Sequence, residues 1–147
     1  MEQSPQGKGL RPGDPIGERY RVVRALGEGG MGAVYEAENT WTKRRVAIKV
    51  LLASVAEDSE QMARFRQEAQ TATTLRHPNI IDVLDMGPDP ATGHLFIVQE
   101  LLVGRTLREH LTAKSRLTPW EALDLMVPVM GAVIVANEKG VLHREMK

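Results

Sequence analysis

The sequence predicts an α+β fold: five antiparallel strands and one helix first, then further helices. Three observations carry this. β-Prone runs bounded by turn residues fill Tyr20–Leu51 and return between Ile80 and Glu100. The interval between them, Glu57 to Leu75, changes to three- and four-residue apolar spacing. Beyond Gly104, Thr106-Leu107-Arg108-Glu109 and Thr118-Pro119-Trp120-Glu121 both have the capping-box pattern that opens helices.

Taken in order, residues 1–15 hold Pro5, Pro12, Pro15, Gly7, Gly9 and Gly13 among polar residues, a composition that predicts a mobile tail. Tyr20–Leu26, Ala33–Glu38 and Arg45–Leu51 read as three strands with short connections, hence an antiparallel meander, with Asn39–Lys43 as a turn. In the helix that follows, Met62, Phe65, Ala69, Ala72 and Leu75 share one stripe, and His77-Pro78-Asn79 stops it. Ile80–Leu84 and His94–Glu100 read as two more strands around a loop at Gly87-Pro88-Asp89-Pro90. The last helix has Ala122, Leu125, Met126, Val129, Val133 and Ala136 on one face, Pro128 inside it, Pro119 at the favoured first position, and Gly140 after it.

At 147 residues, with 42% hydrophobic and 26% charged, the chain has the size and composition of one globular domain with a real core. Lys plus Arg and Asp plus Glu number 19 each, so no global charge points to nucleic acid or an anionic membrane. Cysteine is absent, which removes disulfides, a thiolate nucleophile and cysteine-based metal sites. The N-terminal residues have no apolar signal core, and no stretch approaches the ~18–20 continuous apolar residues of a membrane span. A cytoplasmic chain, with neither nucleic acid nor membrane as partner, is the expectation.

Leu26-Gly27-Glu28-Gly29-Gly30-Met31-Gly32-Ala33-Val34 contains G-x-G-x-x-G at Gly27, Gly29 and Gly32. Glycine lets main-chain N–H groups approach an anion without a Cβ in the way. A dinucleotide-binding fold needs a helix directly afterwards, whereas Ala33–Ala37 reads as strand. Gly27 and Gly32 also have P-loop spacing, but Ala33-Val34 stands where Lys-Ser/Thr would be needed. A plain glycine hairpin is the bland alternative. Lys49 counts against it: alternation puts Lys49 on a face with Ala47 and Leu51, while Val46, Ile48 and Val50 take the other. Both faces read as buried, and a buried ammonium needs an anion. Glu68 falls inside the arc of Phe65, Ala72 and Leu75, and a Lys49–Glu68 bridge explains both misplaced charges.

These residues resemble the small lobe of protein kinases, most closely the bacterial eukaryotic-like Ser/Thr kinases, from Tyr20 to Lys147. Gly27–Tyr35 is similar to their glycine-rich loop, Val46-Ala47-Ile48-Lys49 to the strand bearing the phosphate-binding lysine, and Phe65-Arg66-Gln67-Glu68-Ala69 to the helix supplying its glutamate. The resemblance implies a small lobe over residues 20–100, then a hinge and an incomplete large lobe over 101–147. It implies adenine between Leu26, Val34 and Ala47, Gln99 as gatekeeper, and the Glu100 carbonyl and Leu102 N–H reading the adenine edge. Lys49 would pair the α/β-phosphates of ATP, with Glu68 holding it.

His143-Arg144-Glu145-Met146-Lys147 is similar to the family's catalytic-loop pattern His-Arg-Asp-Leu-Lys, with Glu145 at the position of the base. One extra methylene moves a carboxylate by about an ångström, and such a misplacement costs roughly 10²-fold in rate. The family uses Mg²⁺ between the phosphates, and its Asp-Phe-Gly ligands do not occur in these 147 residues. The expectation is an ATP-binding, catalytically silent kinase segment. The alternative is a pseudokinase-like interaction module without nucleotide, engaging a protein partner or itself through the apolar helix 119–139.

Overall fold

The computed structural model describes residues 9–29, 32–51 and 58–141. Gly30 and Met31 of the glycine loop, and His143 to Lys147 with Glu145, lie outside the described residues. Two compact units divide the chain, Met1–Gln70 with Val83–Leu101, and Thr71–Asp82 with Leu102–Lys147.

The first unit is built on a sheet of order β1-β2-β3-β4-β6-β5. Its strands are β1 (Pro15–Ile16), β2 (Tyr20–Gly29), β3 (Gly32–Asn39), β4 (Arg45–Leu51), β5 (Val83–Pro88) and β6 (Leu95–Glu100). All pairings are antiparallel. Alternation along β4 sends Val46 and Ile48 into one cluster with Ile16, Tyr20, Val22, Tyr35, Ala37, Phe96 and Val98. Leu51 enters a second cluster with Leu95, Ile97 and, from helix α1 (Ser59–Thr74), Phe65 and Ala69. Both faces of β4 are therefore in use, as its near-continuous apolar run requires.

The sheet has six strands, one more than the five expected, and the addition comes from the segment assigned to a mobile tail. Gly13 N donates to Val22 O at 2.8 Å, Val22 N to Asp14 O at 2.9 Å, and Leu10 N to the Tyr35 hydroxyl at 3.0 Å. Ile16 is 1% exposed, and Leu10 packs against the same cluster. Gly17 turns the chain at φ 57°, and a Cβ there would stand 2.9 Å from the Phe96 ring. Among the residues read as tail, Pro12 and Gly13, the latter at φ 93°, form the turn that leads into β1.

β5 begins and ends later than the expected Ile80–Leu84. Ile80 N is taken by His77 O at 3.0 Å, which closes a turn after Pro78. Pro88 is tolerated in β5 because β5 is an edge strand. α1 starts after Asp58, whose carboxylate accepts from Glu60 N and Gln61 N, and it ends one residue short of Leu75.

In the second unit, α2 (Leu107–Lys114) and α3 (Pro119–Glu138) each begin with the expected capping box, complete in both directions. α3 departs from its expected single apolar face. Ala132 and Ala136 are buried, whereas Leu125, Met126 and Val129 are exposed, as are Trp120, Val127, Met130 and Ile134 on other sides. The helix is apolar nearly all round. By length and composition α3 could cross a membrane, although Glu121 and Asp124 interrupt its first turns.

Candidate functional site

The strand register sets the first-unit candidates in two rows. Directly paired residues share a face. Gly27 pairs with Val34, Val34 with Lys49, and Lys49 with Ile97. The adjacent row runs Arg24, Glu36, Ala47, Gln99. Leu26 falls at the irregularity between Ala25 and Gly27. The sheet thus gathers Leu26, Gly27, Val34, Ala47, Lys49 and Gln99 from four strands. Glu100, the last residue of β6, pairs with Val46 and so belongs to the opposite face by side chain. Leu102 belongs to the second unit and is 68% exposed.

The three motif glycines have different surroundings. A Cβ on Gly27 would meet nothing within 4 Å, and on Gly29 only the Gly32 carbonyl oxygen at 4.0 Å. A Cβ on Gly32 would stand 2.2 Å from Val50 O, because β3 and β4 approach closely there. Among the described residues of the motif, Gly27 and Gly29 thus have open main chain, whereas Gly32 is demanded by the sheet.

Lys49 Nζ donates to Glu68 Oε1 at 3.2 Å and to Oε2 at 3.4 Å. The bridge expected from the sequence forms, but its setting differs from a buried pair. The Lys49 side chain is 22% exposed and that of Glu68 55%. α1 buries Phe65 and Ala69, which leaves Glu68 at the edge of the stripe, not inside its arc. A pair this wet contributes ~0–1 kcal/mol to stability. Its consequence is geometric: a cation with further donors is held beside the glycine hairpin, where it could meet an anion.

Two features of this face escaped the sequence reading. Lys49 Nζ stands 5.6 Å from the centroid of the Phe65 ring. In the sequence Phe65 reads as a stripe residue of the helix that carries Glu68, with no role toward Lys49; its place three positions before Glu68 on one helix side is the available signal. In the other row, Glu36 accepts from Arg24 at 2.7 Å and Arg45 at 3.1 Å, and Arg45 also pairs with Glu38 at 3.3 Å. This network ties β2, β3 and β4 together at the end of the face away from Lys49.

A sheet whose fourth strand carries a lysine paired to a helix carboxylate, beside a glycine hairpin, defines a protein-kinase-type small lobe. A family model, the protein kinase domain, matches residues 20–147, and the chain belongs to that family. It is 42% identical over 135 residues to the serine/threonine-protein kinase PrkC of Bacillus subtilis, covering 92% of this chain and 20% of that protein. It is 38% identical over 140 residues to the serine/threonine-protein kinase PknA of Mycobacterium tuberculosis, covering 93% of this chain and 32% of that protein. Among solved structures it resembles the Mycobacterium tuberculosis PknI kinase domain, with a TM-score of 0.77 and 32% identity, over 95% of this chain and 57% of that one. The relatives place it among bacterial Ser/Thr kinases, and it spans a fifth to a third of their length.

Proposed function

We propose that this chain is the ATP-holding part of a Ser/Thr protein kinase. The observation that carries the reading is Lys49, fixed by Glu68 in the same sheet row as the open glycine Gly27. In this reading adenine lies against Leu26, Val34 and Ala47, with Gln99 behind it and the main chain of Glu100 reading its edge. The phosphates meet Lys49 and the N–H groups around Gly27 and Gly29, where no Cβ intervenes. Titration with a fluorescent ATP analogue tests this: saturable binding by the wild type and at least tenfold weaker binding by Lys49→Ala are expected. Equal signal from both proteins, or none from either, refutes it.

These 147 residues alone bind without transferring phosphate. Glu145 stands at the base position, and Asp-Phe-Gly is not among them. Lysine-dependent phosphorylation of protein Ser or Thr by this chain would contradict the claim. In the full-length family, Mg²⁺ supplies charge neutralisation between the phosphates. A cytoplasmic location accompanies the reading, since ATP is held there and a cysteine-free chain suits a reducing compartment.

A second reading, self-association through α3 without nucleotide, is favoured by the exposure of Val127 at 60% and Met130 at 59%. Light scattering on the wild type and on Val129→Asp separates the two. A wild type that stays monomeric at high concentration removes it.

A further inference from the structure

We propose that Phe65 is a second positioning residue for Lys49, its ring holding the ammonium by a cation–π contact that persists when Glu68 is displaced. The inference rests on the reading of Lys49 as the phosphate-binding cation and names how it is kept in place. Three observations support it. Lys49 Nζ lies 5.6 Å from the Phe65 ring centroid, inside the ~6 Å range in which an aromatic face attracts a cation. The two partners of the ammonium are unlike in burial. Phe65 is 0% exposed and fixed by Leu51, Ala69, Leu95 and Ile97, with Met62 packed against them. The Glu68 side chain is 55% exposed, on a flexible stem at the edge of α1. Finally, Ile97 is both the β6 neighbour of Lys49 in the sheet row and a member of the Phe65 cluster. The lysine therefore stands over a floor built by the core, with the carboxylate beside it.

This division gives each partner its own task. Glu68 supplies charge and can exchange with water. The ring supplies a site that cannot leave without unpacking the core. Lys49 placement then depends on how α1 packs on β4 and β6, as well as on where the glutamate points.

The test uses the whole 147-residue chain. Phe65 is replaced site-specifically by 4-fluoro-, 3,5-difluoro- and 3,4,5-trifluorophenylalanine, which keep the ring's shape and core packing while draining its negative face. The first readout is the proton shift of the Lys49 ε-methylene by NMR without nucleotide. Ring shielding is expected in the wild type and in Glu68→Gln, a decline along the fluorinated series, and loss in Phe65→Leu. The second is affinity for the fluorescent ATP analogue, expected to weaken in graded steps, roughly two- to tenfold by the trifluoro variant. An ε-methylene shift unchanged in Phe65→Leu, or lost in Glu68→Gln, overturns the proposal, and so does an affinity flat across the series. If the wild type binds no nucleotide, the ATP reading fails, and the Lys49 shift alone decides the role of Phe65.

Discussion

Gly32 shares a motif with Gly27 and Gly29 but not their reason for being glycine. With Val50 O 2.2 Å from where its Cβ would be, Gly32→Ala must push β3 off β4, at a cost of about 1–3 kcal/mol. Urea denaturation is expected to show that loss, while Gly27→Ala and Gly29→Ala stay within ~0.5 kcal/mol of wild type and weaken the ATP analogue instead. A stable Gly32→Ala protein would mean that the glycine serves the ligand after all. Lys49 and Glu68 make the converse case. Glu68→Gln is expected to change stability by less than ~1 kcal/mol, since the carboxylate is half exposed, so any larger effect on nucleotide affinity is positional. This pair was legible in the sequence because two charges interrupted two apolar patterns. The ring under the lysine was not, because its approach depends on how far α1 lies from β4, and no periodicity encodes that distance.

At the level of elements, the capping boxes of α2 and α3 were fully legible, because each closes within four residues. Thr118 Oγ1 accepts from Glu121 N at 3.3 Å, and Glu121 Oε2 accepts in turn from Thr118 N at 2.9 Å. Thr118→Ala is expected to lower stability by about 1 kcal/mol. The Lys114 ammonium, hydrogen-bonded to Glu121, and then the Thr118 N–H hold the Glu121 carboxyl below the usual carboxylate range, at about 2. A folded value below the unfolded one means this contribution is complete above about 4.5 and is lost as pH falls towards about 2. Melting temperatures across that window should fall less steeply for Glu121→Gln than for wild type; parallel curves would show that the pairing does not contribute. β5 and α3 were read less well. β5 shifted because a turn at His77–Ile80 claimed its first residues, and an edge position accepted Pro88. The single face assigned to α3 dissolved because apolar residues ring the helix, so period alone selects no side.

For the molecule as a whole, the core of the first unit takes in residues that precede its motifs. The family match begins at residue 20, yet Ile16 is 1% exposed in the cluster with Tyr20, Val22 and Phe96. Ile16→Ala is expected to cost about 2–5 kcal/mol, against no more than ~0.5 kcal/mol for the exposed neighbour Glu18→Ala. Denaturant midpoints that coincide for the two variants would show that β1 is dispensable.

The sequence by itself determined what is local and periodic: the strands on either side of the glycine turn, the helix carrying Glu68, the two capping boxes, and the lysine and glutamate as a pair. These follow from side-chain alternation, helical spacing and hydrogen bonds closed within a few residues. The tertiary structure alone decided that β6 enters between β4 and β5, that residues 10–16 complete the sheet and its core, that Gly32 has no room while Gly27 does, and that Phe65 lies under the Lys49 ammonium beside a half-exposed Glu68. Each of these is a distance between elements far apart in the chain, set by how their side chains pack, and packing is a property of the assembled sheet and helix.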